Sequence, residues 1–352
     1  MRAFDFSRAE SVGNAAQHGN AETAFVAGGT TLLDLVKLDV MRPAAVVDIN
    51  ALPLKAVERL ADGRLKIGAL VTNTDLAHHP EVKRDYPLLS QALLAGASTQ
   101  LRNMATTAGN LMQRTRCPYF RDVGSACNKR QPGSGCDARD GINRMHALLG
   151  GSADCIAVHP SDMCVALAAI GATLTLEGPS GEREVAFADF HRLPGDTPHL
   201  EHDLAADELI TALTLDAPLA PAGSHYLKLR DRASYEFALA SAAAQLKLDG
   251  ERIIEARLAL GGVATKPWRA SEAEAALVGQ PAVLASFERA AEIALRDAQP
   301  RAHNAFKVDL AKQAIVRALR DASRAAQRGT DQDDTDQDDT GQGRTDTQES
   351  QA

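Results

Sequence analysis

The sequence predicts an α+β fold with more than one domain. The chain has 352 residues, which exceeds what a single hydrophobic core usually organises. Two strand patterns, 238–248 and 252–260, flank Asp249-Gly250, a strong signal for a β-hairpin. Helical patterns follow at 269–278, 282–296 and 306–327. Strands followed by helices in one block are typical of an α+β domain.

The acidic charge of the chain is concentrated at its end. The net charge is −8, and residues 330–352 contain eight acidic residues and one Arg, which leaves about −1 for the rest. A nearly neutral globular part offers no basic surface for nucleic acid. The tail has almost no apolar residues to bury, so we expect residues 328–352 to be disordered.

The sequence predicts neither a membrane span nor a disulfide framework. The longest apolar run, residues 163–176, is too short to cross a bilayer. No charged start with an apolar core and a cleavage site opens the chain, so we expect this subunit to carry no export signal of its own. An odd cysteine count of five, without such a signal, argues against disulfides.

A βαβ-like unit is predicted around a pair of glycines near the N-terminus. Residues 25–27 and 45–49 are apolar strand patterns, and residues 32–39 have helical spacing. Gly28-Gly29-Thr30-Thr31 connects the first strand to the helix. Adjacent glycines let successive backbone N–H groups face one anion, and the following helix adds its positive end. The segment suits a pyrophosphate, with an ordinary tight turn as the alternative.

A second segment of the same character lies in the middle of the chain. A strand at 65–69 and helices at 73–78 and 86–98 precede Thr106-Thr107-Ala108-Gly109-Asn110. Its glycine permits close backbone approach to a ligand, and Asn110 both donates and accepts, as a flavin edge requires. Further on, Ser161 is a candidate cap for a helix, with strands expected at 172–176 and 209–215.

Between these features runs a long stretch without periodicity that holds most of the cysteines. Residues 102–157 contain seven glycines, two prolines and four cysteines, and a loop of that length is usually functional. The cysteines are Cys117, Cys127, Cys136 and Cys155, whose spacing lacks the tight pairs of zinc sites. Long-loop ligation of an iron–sulfur cluster is permitted, and incidental buried thiols are the alternative. Cys164, in an apolar helix, is interpreted as a core residue.

Taken together, these motifs resemble the flavin subunits of the xanthine dehydrogenase, or molybdenum hydroxylase, family. The matching segments are Ala27-Gly28-Gly29-Thr30, Thr107-Ala108-Gly109-Asn110, His159-Pro160-Ser161-Asp162 and Lys228-Leu229-Arg230. The cysteine loop is similar to that of bacterial periplasmic aldehyde oxidoreductases, whose FAD subunit carries an added [4Fe–4S] cluster. Hydroxybenzoyl-CoA reductase flavin subunits also carry an added cluster, so the loop alone leaves the substrate open.

The resemblance implies a fold and a set of site residues. The fold would be a two-subdomain FAD-binding fold of the vanillyl-alcohol-oxidase type, followed by an α+β domain of the CO-dehydrogenase flavoprotein type. Its parts would be residues 1–55, residues 56–221 with a cluster loop at about 113–157, and residues 222–327. Non-covalent FAD would be held by Val26, Ala27, Gly28, Gly29, Thr30, Thr31, Leu32, Leu33, Asp34, Thr107, Gly109, Asn110, Ser161, Asp162 and Lys228, and the cluster by Cys117, Cys127, Cys136 and Cys155.

The resemblance also implies a role and partners. The chain would be the electron-transfer subunit of an aldehyde oxidoreductase, in a heterotrimer with a molybdenum-cofactor large subunit and a [2Fe–2S] small subunit. It would pass electrons through FAD to an external acceptor, and export with a signal-bearing partner stays open. The rival readings are a free-standing FAD oxidase and a non-enzymatic metal scaffold. Loop histidines His191, His199 and His202 are expected to be exposed rather than metal-binding.

Overall fold

Three sheets organise the chain, and the first is parallel. The computed structural model describes the backbone of residues 1–339 and the side chains of residues 1–328, and every structural statement below concerns that part. The first sheet, in the order β1-β3-β2, consists of β1 (Asp5–Arg8), β2 (Thr23–Val26) and β3 (Ala45–Asp48), with helices α1 (Val12–His18) and α2 (Leu32–Lys37) between them. The predicted βαβ-like unit is confirmed by the parallel pairing of β2 with β3.

The second sheet has five antiparallel strands in the order β4-β5-β8-β6-β7. Its strands are β4 (Val57–Arg59), β5 (Leu65–Gly68), β6 (Ala172–Gly178), β7 (Gly181–Ala186) and β8 (Leu209–Leu215). The helices of this part are α3 (Asn73–His78), α4 (Pro80–Asp85), α5 (Pro87–Ala95), α6 (Thr99–Met104), α7 (Thr107–Leu111), α8 (Pro118–Arg121), α9 (Asp162–Ile170) and α10 (Phe187–Phe190). Ser161 caps α9 as predicted, because its Oγ accepts from the Cys164 N–H at 3.0 Å.

The third sheet is antiparallel and carries the C-terminal helices. It runs β12-β11-β10-β9, from β9 (Ser224–Leu229), β10 (Ala240–Asp249), β11 (Arg252–Gly261) and β12 (Trp268–Arg269). The helices are α11 (Ser271–Leu277), α12 (Leu284–Leu295) and α13 (Phe306–Asp339). The predicted hairpin at Asp249-Gly250 joins β10 to β11, and Gly250 adopts a left-handed φ of 55° at the turn.

Helix α13 extends further than predicted. The pattern ended at residue 327, whereas the helix continues to Asp339, into the segment expected to be disordered. Residues 330–339 contain no proline or glycine, so no helix breaker interrupts the backbone there. The rest of the predicted tail, residues 340–352, lies outside the described residues.

Helix α9 packs between the second and third sheets. The side chain of Val165 lies so close to Gly261 that a Cβ at residue 261 would be 2.4 Å from Val165 Cγ2. Ala243 and Ala259 of the third sheet are fully buried in the core that contains α9. Small residues on the sheet thus admit the helix, and the N-terminus of α9 comes to lie against strand β9. Within the described part, no helix is long and apolar enough to cross a membrane.

A buried lysine in α13 gives a first testable expectation. Lys307 is fully buried and donates to the carbonyls of His146 and Gly262 at 2.8 and 2.6 Å. Burial, and then the charge of Arg144, lowers the pKa of Lys307 from 10.5 to about 7. The unfolded chain keeps this proton up to about pH 10 and the folded chain releases it near pH 7, so the contribution of Lys307 to unfolding free energy rises across that range.

Lys307→Met should therefore make stability less dependent on pH between 7 and 10. The measurement is the thermal midpoint of wild type and variant at several pH values. The thermal midpoint of the wild type should rise relative to that of the variant as the pH rises. Parallel curves for the two proteins would mean that Lys307 stays protonated when folded, which contradicts the expectation.

Candidate functional site

The two glycine segments predicted to hold a cofactor meet each other in the fold. A Cβ at residue 28 would lie 1.7 Å from the carbonyl oxygen of Met104, the last residue of α6. Only glycine fits this contact, because any side chain would overlap the neighbouring backbone. Residue 105 then leads directly into Thr106, the N-cap of α7, so the bend after β2 and the bend before α7 lie side by side.

The first segment is open enough to bind a ligand. Residues 26–32 are all half-buried, and Leu33 is exposed. Gly29 has a φ of 71°, a left-handed conformation that glycine adopts readily. Thr31 is the N-cap of α2. Its side chain makes no capping hydrogen bond to the backbone of the helix. A half-buried bend with these groups fits a dinucleotide pyrophosphate.

The second segment combines a structural threonine with residues available to a ligand. Thr107 is fully buried, and its hydroxyl donates to the Val71 carbonyl at 3.0 Å, so this side chain fixes the bend from within. Gly109 is exposed, and its N–H donates to Thr106 Oγ1 at 3.2 Å. Asn110 is half-buried, and its Oδ1 accepts from Ser161 Oγ at 2.7 Å. The Asn110 amide is therefore held in one orientation from the start of α9.

Asp162 and Lys228 form a buried ion pair behind this bend. Lys228 Nζ lies 2.8 Å from Asp162 Oδ2, and the side chains are 4% and 9% exposed. Lys228 also donates to the Ala95 carbonyl at 3.2 Å, and the Tyr226 hydroxyl donates to Asp162 Oδ1 at 2.7 Å. Burial, reinforced by the Asp162 carboxylate, raises the pKa of Tyr226 well above its usual value. These contacts join strand β9 to α9.

Asp34 of α2 binds arginines of the cysteine loop. Its carboxylate lies 2.9 Å from Arg116 Nη1 and 2.8 Å from Arg121 Nη2. The Arg116 guanidinium also lies over the ring of Phe237, 4.9 Å from its centre. Burial, and then the charge of Arg121, lowers the pKa of Arg116. Two arginines neutralise a carboxylate next to the glycine bend, which removes a charge that would repel a phosphate.

The four loop cysteines lie in one region of the fold, and none forms a disulfide. Cys127 and Cys136 face each other across an isolated antiparallel bridge. Cys117 interacts electrostatically with Cys127 and Cys155, and Cys155 does so with Cys127 and Cys136. Cys127 and Cys117 pack against Leu35 of α2 and Phe120 of α8, which places the cysteines next to the helix that follows the first glycine bend.

Backbone amides lie near these sulfurs. Burial raises the pKa of Cys117 and of Cys136, and nearby backbone amides (Tyr119 and Phe120 at Cys117; Ala138, Arg139 and Ile156 at Cys136) oppose that shift. The Ala157 N–H lies 3.5 Å from Cys155 Sγ. Amide donors around clustered thiols stabilise thiolate ligands, so this donor set fits a metal or iron–sulfur centre.

Burial has a larger effect on the pKa of these thiols than the neighbouring amides have. It raises the pKa of Cys117 to about 12 and that of Cys155 to about 11. The charge of Lys129 lowers the pKa of Cys155 and offsets burial only in part, and both Lys129 and Arg114 are paired with a carboxylate. Lys129 lies 3.0 Å from Glu201 Oε1, and Arg114 contacts the same carboxylate. A metal bound by these thiols would have to displace their protons.

Glu201 is the carboxylate that pairs with Arg114 and Lys129 of the cysteine loop. Burial alone would raise the pKa of Glu201, but the charges of Arg114 and Lys129 outweigh it and hold the pKa at about 2. A small cavity of about 30 Å³ adjoins this carboxylate, and Cys155, His159 and His191 also line it. The cavity is large enough for about one water molecule.

The expected exposure of the loop histidines is wrong for His191, which is buried, and for His202, which is half-buried. His191 is 5% exposed and its Nε2 contacts the Leu111 carbonyl at 3.2 Å, whereas His199 is exposed as expected. His191 packs edge-on against His159, with ring centres 4.6 Å apart. One ligand atom each of His159, Cys164 and His191 lie within 4.8 Å of one another. The Ser161 N–H points at His159 Nδ1, which places the proton of a neutral His159 on Nε2 and disfavours metal binding there.

Several residues of the site had no signal in the sequence. Met104 acts through its carbonyl, Glu201 through an ion pair across 72 residues, and His146 through a contact of 3.2 Å with Cys117 Sγ. None belongs to a motif, and each depends on chain segments far apart in sequence. Tyr226 was also missed, although its spacing of two from Lys228 on a strand places both on one face.

Comparison with known proteins identifies two family domains. Residues 2–218 match the family described as the FAD binding domain in molybdopterin dehydrogenase. Residues 225–322 match the family described as the CO dehydrogenase flavoprotein C-terminal domain. The first match contains both glycine bends and all four loop cysteines, and the second contains Lys228.

Relatives extend over nearly the whole chain. The chain is 50% identical over 327 residues to the aldehyde oxidoreductase FAD-binding subunit PaoB of Escherichia coli, covering 92% of this chain and 99% of that protein. It is 31% identical to the glyceraldehyde dehydrogenase medium chain of Sulfolobus acidocaldarius, covering 79% and 82%. Among solved structures, carbon monoxide dehydrogenase from Hydrogenophaga pseudoflava superimposes with a TM-score of 0.72 at 25% identity, covering 92% of this chain and 99% of that one.

Removing one member of the buried ion pair of Asp162 and Lys228 should destabilise the fold. Lys228→Met leaves the Asp162 carboxylate without its cation, and we expect the free energy of unfolding to fall by about 3–5 kcal/mol in urea denaturation. The matched control is Arg144→Met, whose pair with Asp231 is 42% and 49% exposed and whose loss should cost at most about 1 kcal/mol. The double variant Asp162→Asn with Lys228→Met should recover part of the loss. Equal losses of unfolding free energy for Lys228→Met and Arg144→Met would contradict the assignment of a stabilising buried ion pair.

Proposed function

The chain belongs to the FAD-binding subunits of the molybdenum hydroxylase family, and on that premise we propose that it is the electron-transfer subunit of a molybdenum-containing aldehyde oxidoreductase. The observation that carries the proposal is the contact of the two glycine bends at Gly28 and Met104, with the cysteine loop attached through Asp34. In this arrangement a flavin and a second redox group would have adjacent sites on one scaffold.

The proposed FAD site uses the predicted residues in different ways. Backbone amides of residues 28–32 would bind the pyrophosphate, and Asn110, oriented by Ser161, would meet the isoalloxazine edge. Thr107 and the pair of Asp162 and Lys228 would support the site from behind, since their polar atoms are engaged with protein partners. FAD supplies the redox chemistry when bound, while the protein orients it and limits access to it.

The proposed [4Fe–4S] site uses Cys117, Cys127, Cys136 and Cys155 as ligands. Its support is the mutual electrostatic influence of these cysteines and the Ala157 N–H, which lies 3.5 Å from Cys155 Sγ. Leu35 packs against Cys127 in the same cluster of side chains, which would bring the centre close to the helix after the pyrophosphate bend. A cluster in this position could exchange electrons with the flavin, and it could also stabilise the structure of the loop.

The aldehyde chemistry and two further cofactors would lie on partner chains. A large subunit with a molybdenum cofactor would oxidise the aldehyde, and a small subunit with [2Fe–2S] clusters would deliver electrons to this chain. The heterotrimer is therefore the proper object of every test below.

The first test is the flavin content of an Asn110→Ala variant. Purified anaerobically with its partner chains, the wild type should show flavin bands and a broad iron–sulfur shoulder in one optical spectrum. Asn110→Ala removes the amide that faces the flavin edge, so we expect lower flavin occupancy, several-fold after gel filtration. Asn20→Ala, at an exposed asparagine outside both glycine bends, is the control and should keep full occupancy.

Two outcomes would count against the proposal. Full flavin retention in Asn110→Ala would remove this residue from the site. A colourless wild-type complex would refute the flavoprotein assignment itself, and catalytic turnover by the isolated chain would favour a free-standing oxidase.

The second test separates ligand cysteines from an ordinary buried cysteine. Cys127→Ala should lose most of the iron assigned to this chain, because one of four ligands is missing. Cys164→Ala is the matched control, since Cys164 is fully buried in α9 and should leave iron unchanged. Iron and acid-labile sulfide are measured in both variants. Equal iron in Cys127→Ala and wild type would exclude the proposed ligand set.

A further inference from the structure

We propose that His146 donates a hydrogen bond to the sulfur of Cys117 and thereby sets the reduction potential of the iron–sulfur centre. This inference rests on the proposed function, because it needs Cys117 to be a ligand. His146 Nε2 lies 3.2 Å from Cys117 Sγ. In the described part of the chain, it is the one side-chain nitrogen or oxygen that contacts a sulfur of the four loop cysteines.

The imidazole is held in place by the C-terminal domain. His146 is 2% exposed, and its carbonyl accepts from Lys307 Nζ at 2.8 Å and Asn304 Nδ2 at 3.2 Å. Both donors are fully buried. The next residue, Ala147, donates its N–H to the Ile156 carbonyl at 3.0 Å, beside Cys155. The backbone of His146 is thus fixed, and the burial of the residue restricts the movement of the ring away from the sulfur.

The direction of the hydrogen bond follows from the acceptor. A thiolate that ligates iron has no proton, so it can only accept, and the imidazole must present Nε2–H. The other ring nitrogen, Nδ1, is buried without a partner and carries the lone pair in that tautomer. An unprotonated Nδ1 tolerates this position better than an N–H would, because an N–H there would be a buried donor with no acceptor.

A donor on a ligand sulfur makes the reduced centre easier to form. Reduction places additional negative charge on the cluster and its sulfurs, and a hydrogen bond stabilises that charge. The Ala157 N–H, 3.5 Å from Cys155 Sγ, would act in the same way but cannot be removed by substitution. His146 is therefore a positioning and tuning residue that mutation can address.

The experiment compares His146→Leu with His146→Gln in the complete heterotrimer. Leu removes the donor, whereas the Gln amide can place an N–H near the position of Nε2. The midpoint potential of the iron–sulfur centre is followed by EPR at the low temperature at which such centres are observed. We expect a lower potential in His146→Leu, partial or full rescue in His146→Gln, and an unchanged flavin potential in both.

A measurement on the wild type guards against variants that fail to assemble. With 15N-labelled histidine, the reduced centre should show a weak hyperfine coupling to one nitrogen, transmitted through the hydrogen bond. An unchanged potential in His146→Leu, or no histidine coupling in wild type with a full centre, would overturn the inference. A wild type without any added iron–sulfur centre would instead refute the proposed cluster, which the iron analysis of Cys127→Ala detects separately.

Discussion

A backbone-to-backbone contact, between residue 28 and the Met104 carbonyl, is the constraint on which the site depends. Without a side chain at residue 28, the bend after the parallel sheet lies directly against the end of α6. Thr107 then anchors the following bend to Val71, and Asn110 reaches Ser161 at the start of α9. One steric condition at a single glycine thus determines the relative position of two segments 80 residues apart, each predicted to contact the same cofactor.

Charge pairing performs the corresponding task for the cysteine loop. Asp34 holds Arg116 and Arg121, and Glu201 holds Arg114 and Lys129. These half-buried pairs anchor both sides of a segment that has little regular structure of its own. Because these cations are paired with carboxylates, they lower the pKa values of the thiols less than their number suggests. The Ala157 amide and the His146 imidazole are the groups in hydrogen-bond contact with these sulfurs in the described part of the chain.

Local chemistry made much of the fold predictable, and long-range geometry accounts for what was missed. Ser161 as a cap and Asp249-Gly250 as a hairpin turn are short-range signals, and both hold. Strand β1 was missed because Asp5–Arg8 is exposed throughout and carries no apolar pattern; its parallel pairing with β3 defines it. The glycine bends were recognised by type, whereas the partners of Asp34 and Lys228 follow from tertiary packing that no spacing encodes.

The buried pair of Asp162 and Lys228 has a consequence for how such proteins are divided or recombined. Its two members lie in different family domains, and each is 9% exposed or less. A chain cut near residue 221 would leave an ionised carboxylate on one fragment and an ammonium on the other, each stranded in an apolar surface until the halves reunite. Exchange of C-terminal domains between homologues is therefore constrained to donors that bring a cation to this point.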